Sequence, residues 1–391
     1  MSNIKLIQKR ILLTIALVLL QTLVLIDSAN AEFQLIPDPP NINAVGYILI
    51  DVNSGEVIAK NNANERMEPA SLTKMMTSYL IAQAIRDGKA SLKDKVKVSK
   101  KAWRMPGSRM FIEVGKEILL EKLLIGMIVQ SGNDATIALA EHIAGDEDEF
   151  VKMMNETAKK LDLLDTHFVN ATGMPHEDHF STPRDMTMLG MALIRDFPEH
   201  YKYYSRKEYT HNNIKQFNRN QLLWKDDSVD GIKTGHTESA GYCLVASAQR
   251  GNMRLISTVL GTKSKAARTS ESQKLLTYGF RFFETHKLYS ADDKLTEVKI
   301  WKGSSESLPL GISDDLYITI PRGQYDKLDA NMSVSSTIVA PAIRGTVYGS
   351  VNVNLGTKQV AKRDLVSLSD VAEGSIWHNL IDSITLWWAS F

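Results

Sequence analysis

EPASLTKMMTSYL, residues 68–80, places Ser71 and Lys74 three positions apart at the point where an apolar-periodic run begins. A proline and a small residue precede Ser71, so a helix is expected to open there and to run to about Arg86. Residues i and i+3 share one face of such a helix. The hydroxyl then sits beside backbone N–H groups that have no intrahelical acceptor, where positive potential favours a developing alkoxide. A lysine one turn further on takes the serine proton only if burial or a second cation pulls its pKa down. Alone the spacing is weak evidence, since Ser2 and Lys5 repeat it near the N-terminus.

The second cation is sought further along. Lys233-Thr234-Gly235 lies in the first of three consecutive strand-like runs within GIKTGHTESAGYCLVASAQRGNMRLISTVLGT; it supplies a charge, a hydroxyl and a glycine that permits close backbone approach. Between the two, Ser131-Gly132-Asn133 interrupts the apolar helical stretch EKLLIGMIVQSGNDATIALAEHIAG. Taken singly, the first triplet also fits a strand end and the second a turn.

Around these motifs the pattern is α+β. GYILIDVNSGEVIAK alternates about Asn53-Ser54-Gly55 as a hairpin, and further helices fit DEFVKMMNETAKKLDL and SKAARTSESQKLLTYGFRFFETH. The hairpin is expected to join the three late strands in one antiparallel sheet, with helices between. This arrangement spans residues 32–289. From residue 290 to 370 helical periodicity gives way to short alternating runs such as DLYITIP and GTVYGSVNVNLG, which read as a smaller all-β domain. The single cysteine, Cys243, sits in a strand-like run and reads as a buried, inert thiol.

Both ends carry membrane signals. Lys5, Lys9 and Arg10, an apolar run from Ile11 to Ile26 and small residues ending at Ala31 have the order of a signal peptide, residues 1–31. The rest of the chain is therefore expected to be exported. At residues 371–391, Trp377, Leu380, Ile381, Ile384, Trp387, Trp388 and Phe391 fall on one helical arc opposite His378, Asn379 and Asp382. Such a helix is too polar to span a bilayer and is expected to lie in its interface, where indole rings are favoured. Lys plus Arg, 46, nearly balances Asp plus Glu, 45, and no basic stripe appears, so no nucleic-acid partner is expected.

Ser-x-x-Lys at 71–74, Ser-x-Asn at 131–133 and Lys-Thr-Gly at 233–235, in this order, resemble the motif set of the penicillin-recognising serine acyl enzymes. With PASLTKMMT, IVQSGNDATIALAEHIAG, FNRNQLLW and VDGIKTGHTESAGYCLVASA, the chain resembles in particular the type-5 penicillin-binding proteins, which are D-alanyl-D-alanine carboxypeptidases. The resemblance covers nearly the whole length. It implies a β-lactamase/transpeptidase-like catalytic domain followed by the β domain and the terminal helix. It also implies Ser71 as nucleophile, Lys74 as its base, and Ser131 with Lys233 passing the proton to the leaving group. Asn133 would orient the substrate amide; Lys233 and Thr234 would bind the terminal carboxylate, steadied by Arg219. Backbone N–H groups of Ser71 and His236 would form the oxyanion hole beside Gly235. No metal or cofactor is implied.

The implied substrates are peptidoglycan muropeptides ending in D-Ala-D-Ala, with β-lactams as covalent inhibitors and roles in wall maturation and cell shape. The implied location is the periplasmic face of the bacterial inner membrane, held peripherally. A DD-endopeptidase would use the same acyl chemistry. A class A β-lactamase would need a glutamate in a Glu-x-x-Leu-Asn setting, which Glu177 lacks, and a non-catalytic wall-binding protein would not need every catalytic side chain. KKAWRMPGSRMFIEVGKEI, expected to border the site, is shorter than is usual in that group.

Overall fold

The computed structural model describes residues 36–389; the expected signal peptide and Phe391 lie outside the described residues. The first hairpin, β1 (Gly46–Asp51) and β2 (Val57–Asn61), precedes a 3-10 turn at Ala70–Thr73 that runs straight into helix α1 (Lys74–Arg86). Lys74 to Ala82 are buried without a break. A helix buried on every side belongs inside a core, and α1 contributes Met75, Met76, Tyr79, Leu80 and Ile81 to this one while its buried Thr77 and Ser78 hydroxyls are hydrogen-bonded. Next come α2 (Leu120–Val129), α3 (Asn133–Ala144), α4 (Glu147–Lys160) and α5 (Pro183–Asp196). Asp146 caps α4 through the Glu149 N–H, and Thr182 caps α5 through the Asp185 N–H with Pro183 at the first helical position.

The late strands are β3 (Val229–Thr237), β4 (Gly241–Arg250) and β5 (Met253–Thr262), followed by α6 (Lys265–Phe282). They join the hairpin in one sheet of order β2-β1-β5-β4-β3, with Ile50 opposite Ile256 and Lys233 opposite Val245. Successive residues of a strand face opposite sides. A Cβ on Gly279 of α6 would touch Leu255 and Leu49, whereas one on Gly190 of α5 would touch Ile256 and Ile232. Helices α5 and α6 therefore cover opposite faces of the sheet, and β3 is left at its edge.

The helix expected to reach about His286 ends at Phe282. Phe283–Tyr289 instead forms strand β6, paired with a strand from the β-rich part, with Thr285 buried against Thr319. A strand on the near side of the 289/290 boundary thus pairs with one beyond it. Tertiary pairing overrides the local helical pattern because it satisfies a whole ladder of backbone groups. Beyond lie β7 (Thr296–Lys299), β8 (Ser307–Gly311), β9 (Leu316–Pro321), β10 (Leu328–Val334), β11 (Val347–Leu355) and β12 (Lys358–Ser367). β9 is the partner of β6, and the others form a second sheet of order β7-β8-β12-β11-β10 over Leu308, Leu310, Val351, Val353 and Leu365. Asp51 accepts a 3.0 Å hydrogen bond from the Thr285 hydroxyl, tying the first hairpin to β6.

Helix α7 (Ile376–Ala389) ends the described chain. Its polar face is turned to the β-rich part: Asp382 is buried and accepts from the Lys302 N–H. Its apolar arc is uncovered, with Trp377, Leu380, Ile381, Ile384, Trp387 and Trp388 each more than half exposed. Among the described residues no helix is long and apolar enough to cross a membrane.

Candidate active site

Ser71 lies on the floor of a 940 Å³ cleft between the sheet edge β3 and the helices. The turn that carries it is pressed from two sides. A Cβ at Gly173 would stand 1.8 Å from the Ala70 carbonyl oxygen, and one at Gly235 would stand 2.9 Å from that of Pro69. Only glycine allows both backbones to come so close, and Ala70 itself takes the left-handed φ of 47°.

Lys74 sits directly beneath the serine and is 1% exposed. Its Nζ donates to Ser71 Oγ at 3.0 Å, Asn133 Oδ1 at 2.8 Å and the Thr172 carbonyl at 2.6 Å, so all three ammonium protons have acceptors. Burial, then the Arg219 guanidinium, pull its pKa down from 10.5 to about 7; Asp134 opposes them. An amine that is half unprotonated at neutral pH, in contact with a hydroxyl, is a competent general base.

On the far wall Lys233 Nζ donates to Ser131 Oγ at 2.9 Å and to the Thr234 carbonyl at 2.9 Å. Ser131 reaches it because the break between α2 and α3 puts that residue at φ 63°. Burial holds the Lys233 pKa well below the usual lysine value, with Lys74, Arg219 and Arg268 adding to the effect. Asn133, whose Nδ2 donates to the Pro106 carbonyl at 2.7 Å, binds the loop 105–112 to the floor. Thr234, Gly235, His236 and Arg219 line the cleft. The His236 ring lies 3.9 Å from that of Tyr242, and burial, then Arg268, lower its pKa. Every residue singled out for the chemistry is therefore in or just beneath one cleft. The aromatic and aliphatic residues of α7 belong to a separate surface.

Four contributors were not legible in sequence. Thr172 acts through its carbonyl and Gly173 through lacking a Cβ. Asp134 is fully buried and accepts from the N–H groups of Met110, Phe111 and Ile112, shaping the loop that overhangs the cleft. Arg268 donates to the Gly235 carbonyl at 3.1 Å and, more weakly, to that of Arg219 at 3.4 Å. A signal for Arg268 did exist, since it shares a helical face with Leu275 and Gly279, where a charge is costly unless it has a task.

Lys215, Arg219, Lys265 and Arg268 line the cleft, and among the described residues no carboxylate side chain does. Such a field favours an anionic ligand. Glu177 is exposed and is not among the lining residues.

Comparison with known proteins gives concordant matches. Residues 34–264 match the family model described as D-alanyl-D-alanine carboxypeptidase, and residues 283–373 match the penicillin-binding protein 5 C-terminal domain. The chain is 44% identical to D-alanyl-D-alanine carboxypeptidase DacA of Escherichia coli K12, over 97% of this chain and 96% of the relative. It is similar to the crystal structure of penicillin-binding protein 5 from Haemophilus influenzae, with TM-score 0.84 and 42% identity, covering 86% of this chain and all of that one. It is also similar to penicillin-binding protein D2 of Listeria monocytogenes in its ampicillin-bound form, with TM-score 0.58 and 31% identity, covering 62% of this chain and all of that one.

Proposed function

On the premise that the chain belongs to the D-alanyl-D-alanine carboxypeptidase family and is a serine-type hydrolase of that activity, we propose how its residues divide the work. Ser71 Oγ attacks the carbonyl carbon between the last two D-alanines of a peptidoglycan stem while Lys74 Nζ takes the hydroxyl proton. Backbone N–H groups of Ser71 and His236 hold the oxyanion, each donor worth about 3 to 4 kcal/mol in comparable acyl transfer. The proton passes by way of Lys233 and Ser131 to the departing nitrogen, D-alanine leaves, and water cleaves the ester on Ser71. Asn133 aligns the stem amide. Thr234, Lys233, Arg219 and Arg268 receive the terminal carboxylate, whose negative charge favours a protonated Lys233.

The observation that carries this reading is the 3.0 Å contact of Lys74 Nζ with Ser71 Oγ, made by an amine whose pKa is pulled down to about 7. A β-lactam presents the same carbonyl and carboxylate and would remain on Ser71. Against rapid β-lactam hydrolysis stands the lining of the cleft, which among the described residues includes no carboxylate side chain to activate water. The test is intact-mass detection of a penicillin adduct, mapped to Ser71 by peptide digestion, beside release of D-alanine from diacetyl-Lys-D-Ala-D-Ala. Ser71→Ala is expected to lose both, and wild-type release by that variant would overturn the assignment.

We further propose that residues 32–289 form the catalytic domain and 290–370 a β domain that spaces it from the bilayer. Residues 371–391 would be a helix lying on the periplasmic face of the inner membrane after removal of residues 1–31. The uncovered apolar arc of α7 supports that placement.

A further inference from the structure

Behind the cleft floor a chain of hydrogen bonds ends on the peptide group that precedes the nucleophile. His179, 2% exposed, accepts the Val169 N–H on Nδ1 at 3.1 Å and meets Thr73 Oγ1 through Nε2 at 2.8 Å. An Nδ1 that accepts carries no proton, so the neutral ring is protonated on Nε2 and donates to Thr73. The Thr73 hydroxyl has one proton, and it is directed at the Ala70 carbonyl, 2.8 Å away. The direction of every bond in the series is thereby fixed. Burial, then the neighbouring His167 and His176, lower the His179 pKa to about 4, which keeps the ring in this neutral form.

The last acceptor is the consequential one. The Ala70 carbonyl and the Ser71 N–H belong to a single planar peptide unit and point in opposite directions, so whatever fixes one fixes the other. Ala70 is left-handed, a conformation that an alanine adopts only when its surroundings impose it. Gly173 and Gly235 leave room for the turn; the hydroxyl of Thr73 is what orients its carbonyl.

We propose that His179 is a positioning residue which, through Thr73, sets the direction of the Ser71 backbone N–H toward the oxyanion formed at the cleft floor. It touches neither substrate nor Ser71 and transfers no proton. The inference rests on Ser71 being the nucleophile and on its N–H serving the oxyanion. A mis-set donor weakens an interaction made in the transition state and leaves ground-state binding largely intact, so the loss belongs in acylation and kcat and not in KM.

The experiment compares Thr73→Val, Thr73→Ser, His179→Leu, His179→Gln and the Thr73→Val/His179→Leu double variant. Each is measured for kcat and KM of D-alanine release, for the rate of acylation by benzylpenicillin, and for thermal unfolding, with Ser71→Ala in parallel. Thr73→Val and His179→Leu are expected to slow acylation by on the order of tenfold to a hundredfold with KM within about twofold. The double variant is expected to be no slower than the slower single one, because the two groups act in series. Thr73→Ser and His179→Gln, which keep a donor at the same place, are expected to recover most of the rate. Lower thermal stability with wild-type acylation in Thr73→Val and His179→Leu, or losses that multiply in the double variant, would overturn the proposal. If His179→Leu does not fold, Thr73→Val against Thr73→Ser decides by the same criterion. Turnover by Ser71→Ala would strike the nucleophile assignment; an inert Ser71→Ala beside a fully active His179→Leu would strike only this inference.

Discussion

Raising the proton concentration should disarm the base before it unfolds the protein, and the size of the effect follows from the burial of Lys74. Its pKa in the folded chain is about 7 against 10.5 for the free side chain. At pH 7 about half the molecules hold the neutral amine, at pH 6 about one in ten and at pH 5 about one in a hundred. The second-order rate of acylation by benzylpenicillin should therefore fall roughly tenfold per unit below pH 7 and level off above about pH 8. Arg219 is the second cause of the depression, after burial, so Arg219→Gln should move the midpoint of this acid limb upward. The same variant should lower the plateau through weaker holding of the carboxylate, and midpoint and plateau are read separately from one profile. Acylation followed by intact mass between pH 5 and 9.5 supplies both. A rate flat across that range, or a midpoint that moves down in Arg219→Gln, would refute the assignment of Lys74 as the base. The sign for stability is the reverse of that for a salt-bridged lysine. A depressed pKa penalises the folded state at all pH below about 7, by about 5 kcal/mol if the whole displacement is counted, and the penalty fades between about 7 and 10.5.

Three further outcomes are expected. Gly173→Ala should cost about 3 kcal/mol or more and reduce acylation with it, because the new Cβ lies 1.8 Å from the Ala70 carbonyl oxygen and the turn must move; urea unfolding and adduct formation measure the two effects. Asp134→Ala should cost about 2 to 4 kcal/mol and expose residues 105–112 to limited proteolysis, since three backbone N–H groups lose their acceptor. Liposome flotation should retain the full chain in high salt, as α7 carries no Lys or Arg, whereas Trp387→Ser/Trp388→Ser should release it; release of the wild type by salt alone would contradict an apolar anchor.

Much of the site was legible because its chemistry is written in side chains at fixed local spacing. Ser71 and Lys74 are three residues apart on a helical start, and the three late strands announce themselves by alternation and glycine turns. The helical arc at the C-terminus needs only the 3.6-residue period, and the apolar residues it predicts within the described chain are the exposed ones. What stayed hidden acts through the backbone or over long separations. The Thr172 carbonyl, 98 residues from Lys74, is an acceptor that any residue type would supply. The left-handed backbone of Ala70 and Ser131 is imposed by packing on residues that do not favour it, so neither position is marked by a glycine. Residues 283–286 continue the helical pattern locally and are strand only because their partner, Leu316–Pro321, is encoded some thirty residues later.

The sequence by itself determined which groups can react, the order of the elements and the polarity of each helical face, since these follow from side-chain chemistry and local periodicity. Only the tertiary structure decided that Lys74 and Lys233 are both buried, one donating to Ser71 and the other to Ser131, that their pKa values fall, and that the peptide group before Ser71 is held in a strained direction. Burial, field and backbone orientation are properties of the space between distant segments, and that space exists only once the chain has closed around it.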